Sequence, residues 1–408
     1  LIGIKTLILL FLTTNVFSQQ GCINYQTPIE TSEFDIISFK KSYNKIVNQN
    51  YSLKSFQQSL SNEKLSSYKL MQFSRGLNAF LLMYQATDSL KYIKEALELS
   101  EGIISKAKKG KNIKNNPKNF KDNYLGWENI NLNYKKHKNG GKHLQEIVLF
   151  ESYLFRYFAK LSYLILFKPN NMSDELKSRS EKVFNFLEKN GWNKWYERGQ
   201  LKAKGCFTYL FRSRTHMTSH WGMVAQYLKL LTDDPQAKSQ YENFISLFNQ
   251  QLKANLKLTK NEAYIWNATW DNSWPMGKDC KNPAQNPVIQ DVTHGSHVIS
   301  YVITAYELSD GIWTKKDLQR FSNTIKCLLY DKKNNRFYGN LNKKFIPQVA
   351  SGVQMADGFM KLIRYDKELY KLFIKVIRDQ YDKYKFNFYL PLYIAEFKFA
   401  KSIYNKDN

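Results

Sequence analysis

Apolar residues recur along this chain at spacings of three and four, the period of a helix with one buried face, and strand-like alternation is scarce. The clearest case is "HLQEIVLFESYLFRYFAKLSYLILF" at 143–167, where Leu144, Val148, Glu151, Phe155, Phe158 and Leu161 fall on one line. Comparable segments run near 34–48, 64–86, 88–107, 173–190, 208–232, 235–257, 292–309, 315–330, 353–364, 366–383 and 388–404, which predicts about twelve helices and an all-α class. Most neighbours are joined by short turns such as "TDDP" (Thr232 to Pro235) and "SDGIWT" (Ser309 to Thr314), so they fold as antiparallel hairpins. Long connections containing Gly, Asn and Trp interrupt this at about 109–142 and 259–290, and such loops in a compact domain usually serve function. Helical hairpins with long loops gathered at one end predict an α/α toroid, a complete or incomplete barrel in which inner helices ring a cavity and outer helices cover them. No low-complexity linker divides the chain.

The start, "LIGIKTLILLFLTTNVFSQQ", carries one cation, a short apolar run and small residues, the pattern of a secretory signal peptide over 1–18 with cleavage after Ser18. The catalytic-size domain then spans 19–408, and its expected location is secreted or periplasmic. A lipid anchor at Cys22 is the lesser alternative, since "SQQGC" lacks the apolar residue expected three positions earlier. No segment has the roughly 20 uninterrupted apolar residues that spanning a bilayer needs. Export permits a disulfide such as Cys206 to Cys280, although the spacing of the four cysteines does not choose a pairing and shows no CxxC motif.

A formal charge of +26 changes the picture of partners: an exported protein this basic meets polyanions, whether nucleic acid, anionic lipid or acidic polysaccharide. Part of the excess is lysine in a chain also rich in Asn, Ile, Tyr and Phe, the profile of an AT-rich genome. Nucleic acid is the weaker candidate, because no recognisable nucleic-acid module is present.

Four of the six histidines form two pairs at helical spacing. In "FRSRTHMTSHWGMVAQYLKLL", His216 and His220 continue the line Val224, Tyr227, Leu231, with Arg212 and Arg214 just before them and Trp221 just after. In "DVTHGSHVISYVITAYE", Asp291 is the expected N-cap and His294 heads the stripe Val298, Tyr301, Ala305, with His297 nearby. Both pairs start amphipathic helices, where the partial positive charge favours anionic ligands and lowers a histidine's pKa. The bland reading makes each a hydrogen-bonded boundary residue, and Asp291 only a cap. HxxxH with DxxHxxH also supplies donors enough for a divalent metal, but "HMTSH" lacks the Glu of HExxH. A third cluster, "AYIWNATWDNSWPMG", spaces Trp266, Trp270 and Trp274 by four beside Asn267 and Asp271, a wall on which sugar rings can stack or a set of core aromatics. Finally "NNRFYGN" places Arg336, a carboxylate grip, beside Tyr338, a proton shuttle.

The segments "THMTSHWG", "DVTHGSHVISYVITAYELSDGIWTKKDL", "NNRFYGN" and "ADGFMKLIRYDKEL" together resemble the α/α-toroid polysaccharide lyases, particularly the alginate and glucuronan lyase group, over roughly residues 200–370. The "NNH" signature of one alginate lyase family is absent; serine stands in "TSHW" where its asparagine would be. The resemblance implies β-elimination on an anionic polysaccharide without metal or organic cofactor. His220 or His294 would act as base or carboxylate neutraliser and Tyr338 as proton shuttle, with Arg214 and Arg336 gripping the carboxylate. His216, Trp221, Trp266, Asn267, Trp270, Asp291 and His297 would complete the substrate site. Two rivals stand beside it: a toroid glycoside hydrolase using paired carboxylates such as Asp271, Asp291 or Asp357, and a non-catalytic glycan-binding protein. Oligomeric state is open.

Overall fold

The computed structural model describes residues 65, 67–114, 116–129, 146–167, 172–269, 280, 287–380 and 389–406. Eleven α-helices lie among the described residues: α1 Ser67–Thr87, α2 Leu90–Ile104, α3 Val148–Ser162, α4 Asp174–Leu187, α5 Lys194–Gln200, α6 Thr215–Leu231, α7 Pro235–Asn255, α8 Val292–Glu307, α9 Lys315–Asn323, α10 Lys367–Gln380 and α11 Leu390–Lys406. The segment expected near 34–48, the 1–18 leader and Cys22 lie outside the described residues. Among the described residues no helix is long and apolar enough to cross a membrane.

The packing order closes a ring. Helix α1 lies against α3, α3 against α6, α6 against α8, α8 against a 3₁₀ segment at Phe359–Arg364, that segment against α11, and α11 back against α1. Outside it, α2 covers α1, α4 covers α3, α7 covers α6, α9 covers α8 and α10 covers the 3₁₀ segment. This is the α/α toroid that the hairpin pattern predicts.

Local chemistry sets each reversal. Asp234 accepts a hydrogen bond from Gln236 N at 2.9 Å and Pro235 opens α7 with its φ already helical. Thr314 and Asp317 form a capping box at the start of α9. The exception to the helical reading is 353–364, where the chain makes 3₁₀ turns instead of an α-helix. Gly358 explains this: a Cβ there would sit 1.8 Å from the Ser296 carbonyl oxygen, so the backbone presses onto α8 at a distance only glycine permits. Ser300 Oγ donates to the Asp357 carbonyl at 2.6 Å and holds the same contact. Cys206 and Cys280 do pair, with Cα atoms 5.5 Å apart, tying the α5–α6 connection to the long loop. Cys327 is also disulfide-bonded.

The ring encloses charge as well as hydrocarbon. Arg156 pairs with Asp357, Lys361 donates to Ser300 Oγ at 2.6 Å, and Arg364 joins Glu396 at 2.6 Å and Glu307 at 2.7 Å. Lys160 is buried among them, and burial, then repulsion from Arg364 and Lys361, pulls its amine down to about 7. Its pKa in the unfolded chain is near 10.5, so the unfolded state binds the extra proton between those values. Stability therefore decreases as pH falls from about 10.5 to 7. Replacing Lys160→Met should stabilise the protein at pH 7 by about 1–3 kcal/mol, with the advantage shrinking toward pH 10. Urea unfolding at both pH values checks this, and a less stable variant at pH 7 would contradict it.

Candidate functional site: an imidazole cluster at the helix starts

Helices α6 and α8 are neighbours in the ring and present their first turns to one another. Arg214 occupies the N-cap position of α6, and Thr215 N donates to Ala268 O at 3.0 Å, which pins that helix start to the long loop. Asp291 caps α8 by accepting from His294 N at 3.0 Å, while Val292 N donates to Gly339 O at 2.9 Å. With both starts fixed, the i, i+4 spacing in α6 stacks His216 over His294, ring centres 4.2 Å apart, and His220 over His297 at 4.5 Å. The four histidines singled out in the sequence are therefore brought together.

Helix α3 adds what the sequence did not indicate. The Tyr153 ring lies 4.1 Å from that of His220, and its hydroxyl is 2.9 Å from His297 Nε2. Arg156 Nη1 is 3.2 Å from His297 Nδ1, and its Nη2 pairs with Asp357, which also accepts from the Tyr157 hydroxyl. An arginine can only donate, so His297 Nδ1 is unprotonated and the neutral ring carries its hydrogen on Nε2. That hydrogen is donated to the Tyr153 oxygen. On the other side of the cluster His294 Nδ1–H donates to Asp291 Oδ2 at 2.8 Å, which fixes that nitrogen and leaves Nε2 for a ligand.

Exposure grades the cluster. His294 has 43% of its side chain exposed and Asp291 34%, whereas His216, His220 and His297 are buried. Both ring nitrogens of His220 and Nδ1 of His216 are buried without a hydrogen-bond partner among the described residues. Burial pushes all three buried imidazoles well below 6.5; next, His294 repels a charge on His216, Arg156 repels one on His220, and His220 repels one on His297. The Asp291 carboxyl is raised by burial, but the hydrogen bonds it accepts from the His294 ring and backbone help outweigh this and hold it below its ordinary value. Burial raises the Tyr153 phenol, next the nearby Tyr389 adds to the rise, and Arg156 and Arg75 oppose it.

The remaining expected site residues are placed differently. Tyr338 follows the hairpin strand Arg336–Phe337, where burial and the nearby Asp331 raise its phenol, and none of the imidazoles is among its neighbours there. Arg336 is committed to Asp331 at 3.1 Å and lies over Phe345. Trp221 is 1% exposed between Phe155 and Trp192, and Trp266 is 2% exposed against Phe321 and Phe359 with its Nε1 donating to Gln290 at 3.1 Å. Neither ring has a free face for a sugar, because the toroid wall has absorbed both. Asn267 bridges the backbone of Ile289 beside the cluster. Trp270, Asp271 and Trp274 lie outside the described residues. No group of three His, Cys, Asp or Glu side chains among the described residues is arranged to hold a metal ion.

No protein-family model matches this chain, and no curated protein matches it. Among solved structures, an inactive variant of the α-1,6-mannanase GH76A of Salegentibacter sp. HEL1_6 in complex with α-1,6-mannotriose is 11% identical over 88% of this chain and 99% of that one, with a TM-score of 0.43. A glycosyl hydrolase of family 88 from Bacteroides vulgatus is 11% identical over 90% of this chain and 98% of that one, with a TM-score of 0.45. Likenesses this loose assign no chemistry.

The buried imidazoles make a pH prediction. The unfolded chain protonates its histidines near 6.5 while the folded one does not, so stability is full above that value and falls as pH drops through it, by up to about 1.4 kcal/mol per pH unit for each histidine. Urea midpoints measured from pH 7.5 to 5 should fall steeply, and His220→Asn should flatten the slope by one histidine's share. An unchanged slope would show that His220 protonates in the fold.

Proposed function

We propose that this protein is an exported polysaccharide lyase that cleaves a uronic-acid-containing polymer by β-elimination. The reading is carried by one observation: the Tyr153 phenol oxygen is held by His297 Nε2–H, beside imidazoles kept neutral by burial. Elimination needs such a set. The C5 hydrogen of a uronate is acidic only through the neighbouring carboxylate, so that group must meet hydrogen-bond donors as negative charge builds on it. A base then takes the C5 proton, the C4–C5 double bond forms, the C4–oxygen bond breaks, and an acid gives a proton to the departing sugar oxygen.

His294 suits the base, because Asp291 holds its Nδ1 hydrogen and the more exposed ring presents Nε2 outward. Tyr153 suits the acid: its oxygen accepts from His297, which leaves its own hydrogen free to donate to the leaving group. His220, with both nitrogens unpartnered among the described residues, suits a neutral N–H donor to the carboxylate. In this reading Tyr153 takes the role first assigned to Tyr338. The paired-carboxylate hydrolase has less support, since Asp357 is paired with Arg156 and Tyr157 and Asp291 with His294, while Asp271 lies outside the described residues.

Incubation with glucuronan, alginate or a glycosaminoglycan should generate the ultraviolet absorbance of a new C=C bond. Reducing ends without that absorbance would indicate hydrolysis and overturn the proposal. His294→Ala and Tyr153→Phe should each lower kcat by about 10²–10⁴-fold with circular dichroism unchanged, while Tyr338→Phe should leave kcat within about threefold. A collapse of activity on losing the Tyr338 hydroxyl alone would return the shuttle role to that residue.

A further inference from the structure

Arg75 on α1 is 8% exposed. Its Nη2 donates to the Tyr389 hydroxyl at 2.7 Å, and its guanidinium carbon lies 3.9 Å from the centre of that ring. Among the described residues Nε is buried without a partner and Nη1 makes no hydrogen bond. The other buried arginines are each matched to acids: Arg156 to Asp357, Arg198 to Asp122 and Glu146, Arg364 to Glu307 and Glu396. Among the described residues Arg75 has no carboxylate. A buried, unmatched cation is destabilising by several kcal/mol, which a fold keeps where a ligand supplies the missing charge. The planar guanidinium is shaped to take a carboxylate in forked hydrogen bonds.

Its position fits such a ligand. Helix α1 packs against α3, which carries Tyr153, and against α11, whose first residue follows Tyr389. Inner helices of successive hairpins run the same way, so Arg75 and Tyr153, both in the first halves of their helices, share the end of the ring where the imidazoles gather. Arg75 is close enough for its charge to favour the Tyr153 phenolate.

We infer that Arg75 is the residue that binds the carboxylate of an acidic sugar at this site, with Tyr389 bracing the guanidinium. Of the arginines first expected, Arg336 is spent on Asp331, and Arg214, which stands at the N-cap of α6 without a side-chain capping bond, is only half-buried, so neither is a buried cation lacking a carboxylate as Arg75 is. The inference deepens the elimination reading and rests on it for the sugar's place beside Tyr153.

Two measurements on the full chain test it. In a Tyr153→Phe background, which should slow turnover, saturated oligoglucuronate and oligomannuronate and their methyl esters are titrated calorimetrically, with and without Arg75→Gln. The acid forms should bind more tightly than the esters, and Arg75→Gln should weaken acid binding about 10- to 100-fold while ester affinity stays within about threefold. Arg75→Lys, which keeps the charge without the fork, should recover part of the preference and serves if the glutamine variant misfolds. Equal affinity for acid and ester, an acid preference that survives Arg75→Gln, or no binding of any acidic oligosaccharide would each overturn the inference. Ultraviolet assays of wild-type protein and of Arg75→Gln alone separate the two claims. An Arg75-dependent acid preference with no C=C product sinks the lyase reading and keeps the anion site. Product formation undiminished by Arg75→Gln sinks the site and keeps the lyase.

Discussion

Arg156 and Asp357 meet inside the ring, both essentially out of contact with solvent, and the imidazole cluster takes its arrangement from that ion pair. Each partner alone would be a stranded charge; removing one half of such a pair is destabilising by about 3–5 kcal/mol. The pair is further saturated by the Tyr157 hydroxyl on Asp357 and by Lys361 at 4.0 Å. With its Nη2 occupied by Asp357, Arg156 can turn Nη1 to His297 in only a narrow range of poses. Through His297 the same guanidinium decides which nitrogen faces Tyr153. A charge on α3, a carboxylate on the turn just before the 3₁₀ segment and a ring on α8 thus act as one unit spanning the barrel.

The loop geometry behind Asp357 is equally constrained. Gly358 lets the chain pass against the Ser296 carbonyl, and Ser300 fastens the Asp357 backbone one turn further along α8. Ser296 and Ser300 flank His297 on that helix, so the carboxylate and the imidazole that share Arg156 are mounted on the same scaffold. A side chain at 358 would push Asp357 away from Arg156, and the disturbance would reach His297 without touching it. This is why a 3₁₀ segment stands where the apolar pattern alone suggests an α-helix.

How much of this could be read in advance depends on what surrounds each residue. The hairpins were legible because apolar spacing and capping residues such as Asp234, Thr314 and Asp291 act locally. The four histidines were legible because the residue is scarce here and both pairs stand at helix starts. Tyr153, Arg156, Tyr157 and Lys160 were not, although they follow one another at helical spacing on α3. That helix is buried all round, so its apolar line at Phe155, Phe158 and Leu161 drew attention to one face while the polar line on another carried the chemistry. Arg75 was hidden similarly, in a helix that reads as plain core. The tryptophans misled for the opposite reason: a Trp bound for a sugar and one bound for the core look alike until packing is known, and Trp221 and Trp266 went to the core.

The strongly basic composition acquires a more specific meaning inside the barrel. Arg156 near His220, Arg214 near His216 and the histidines near one another all disfavour an imidazolium, so the ring interior resists protonation as pH falls. Cations that are already paired, like Arg156, provide that repulsion without attracting an anion strongly. Arg75, unmatched among the described residues, provides the attraction instead. Separating the two tasks lets one end of the ring hold an anion close and still offer it neutral nitrogens. Histidines bearing charge would bind the carboxylate themselves and lose the lone pair that proton abstraction requires.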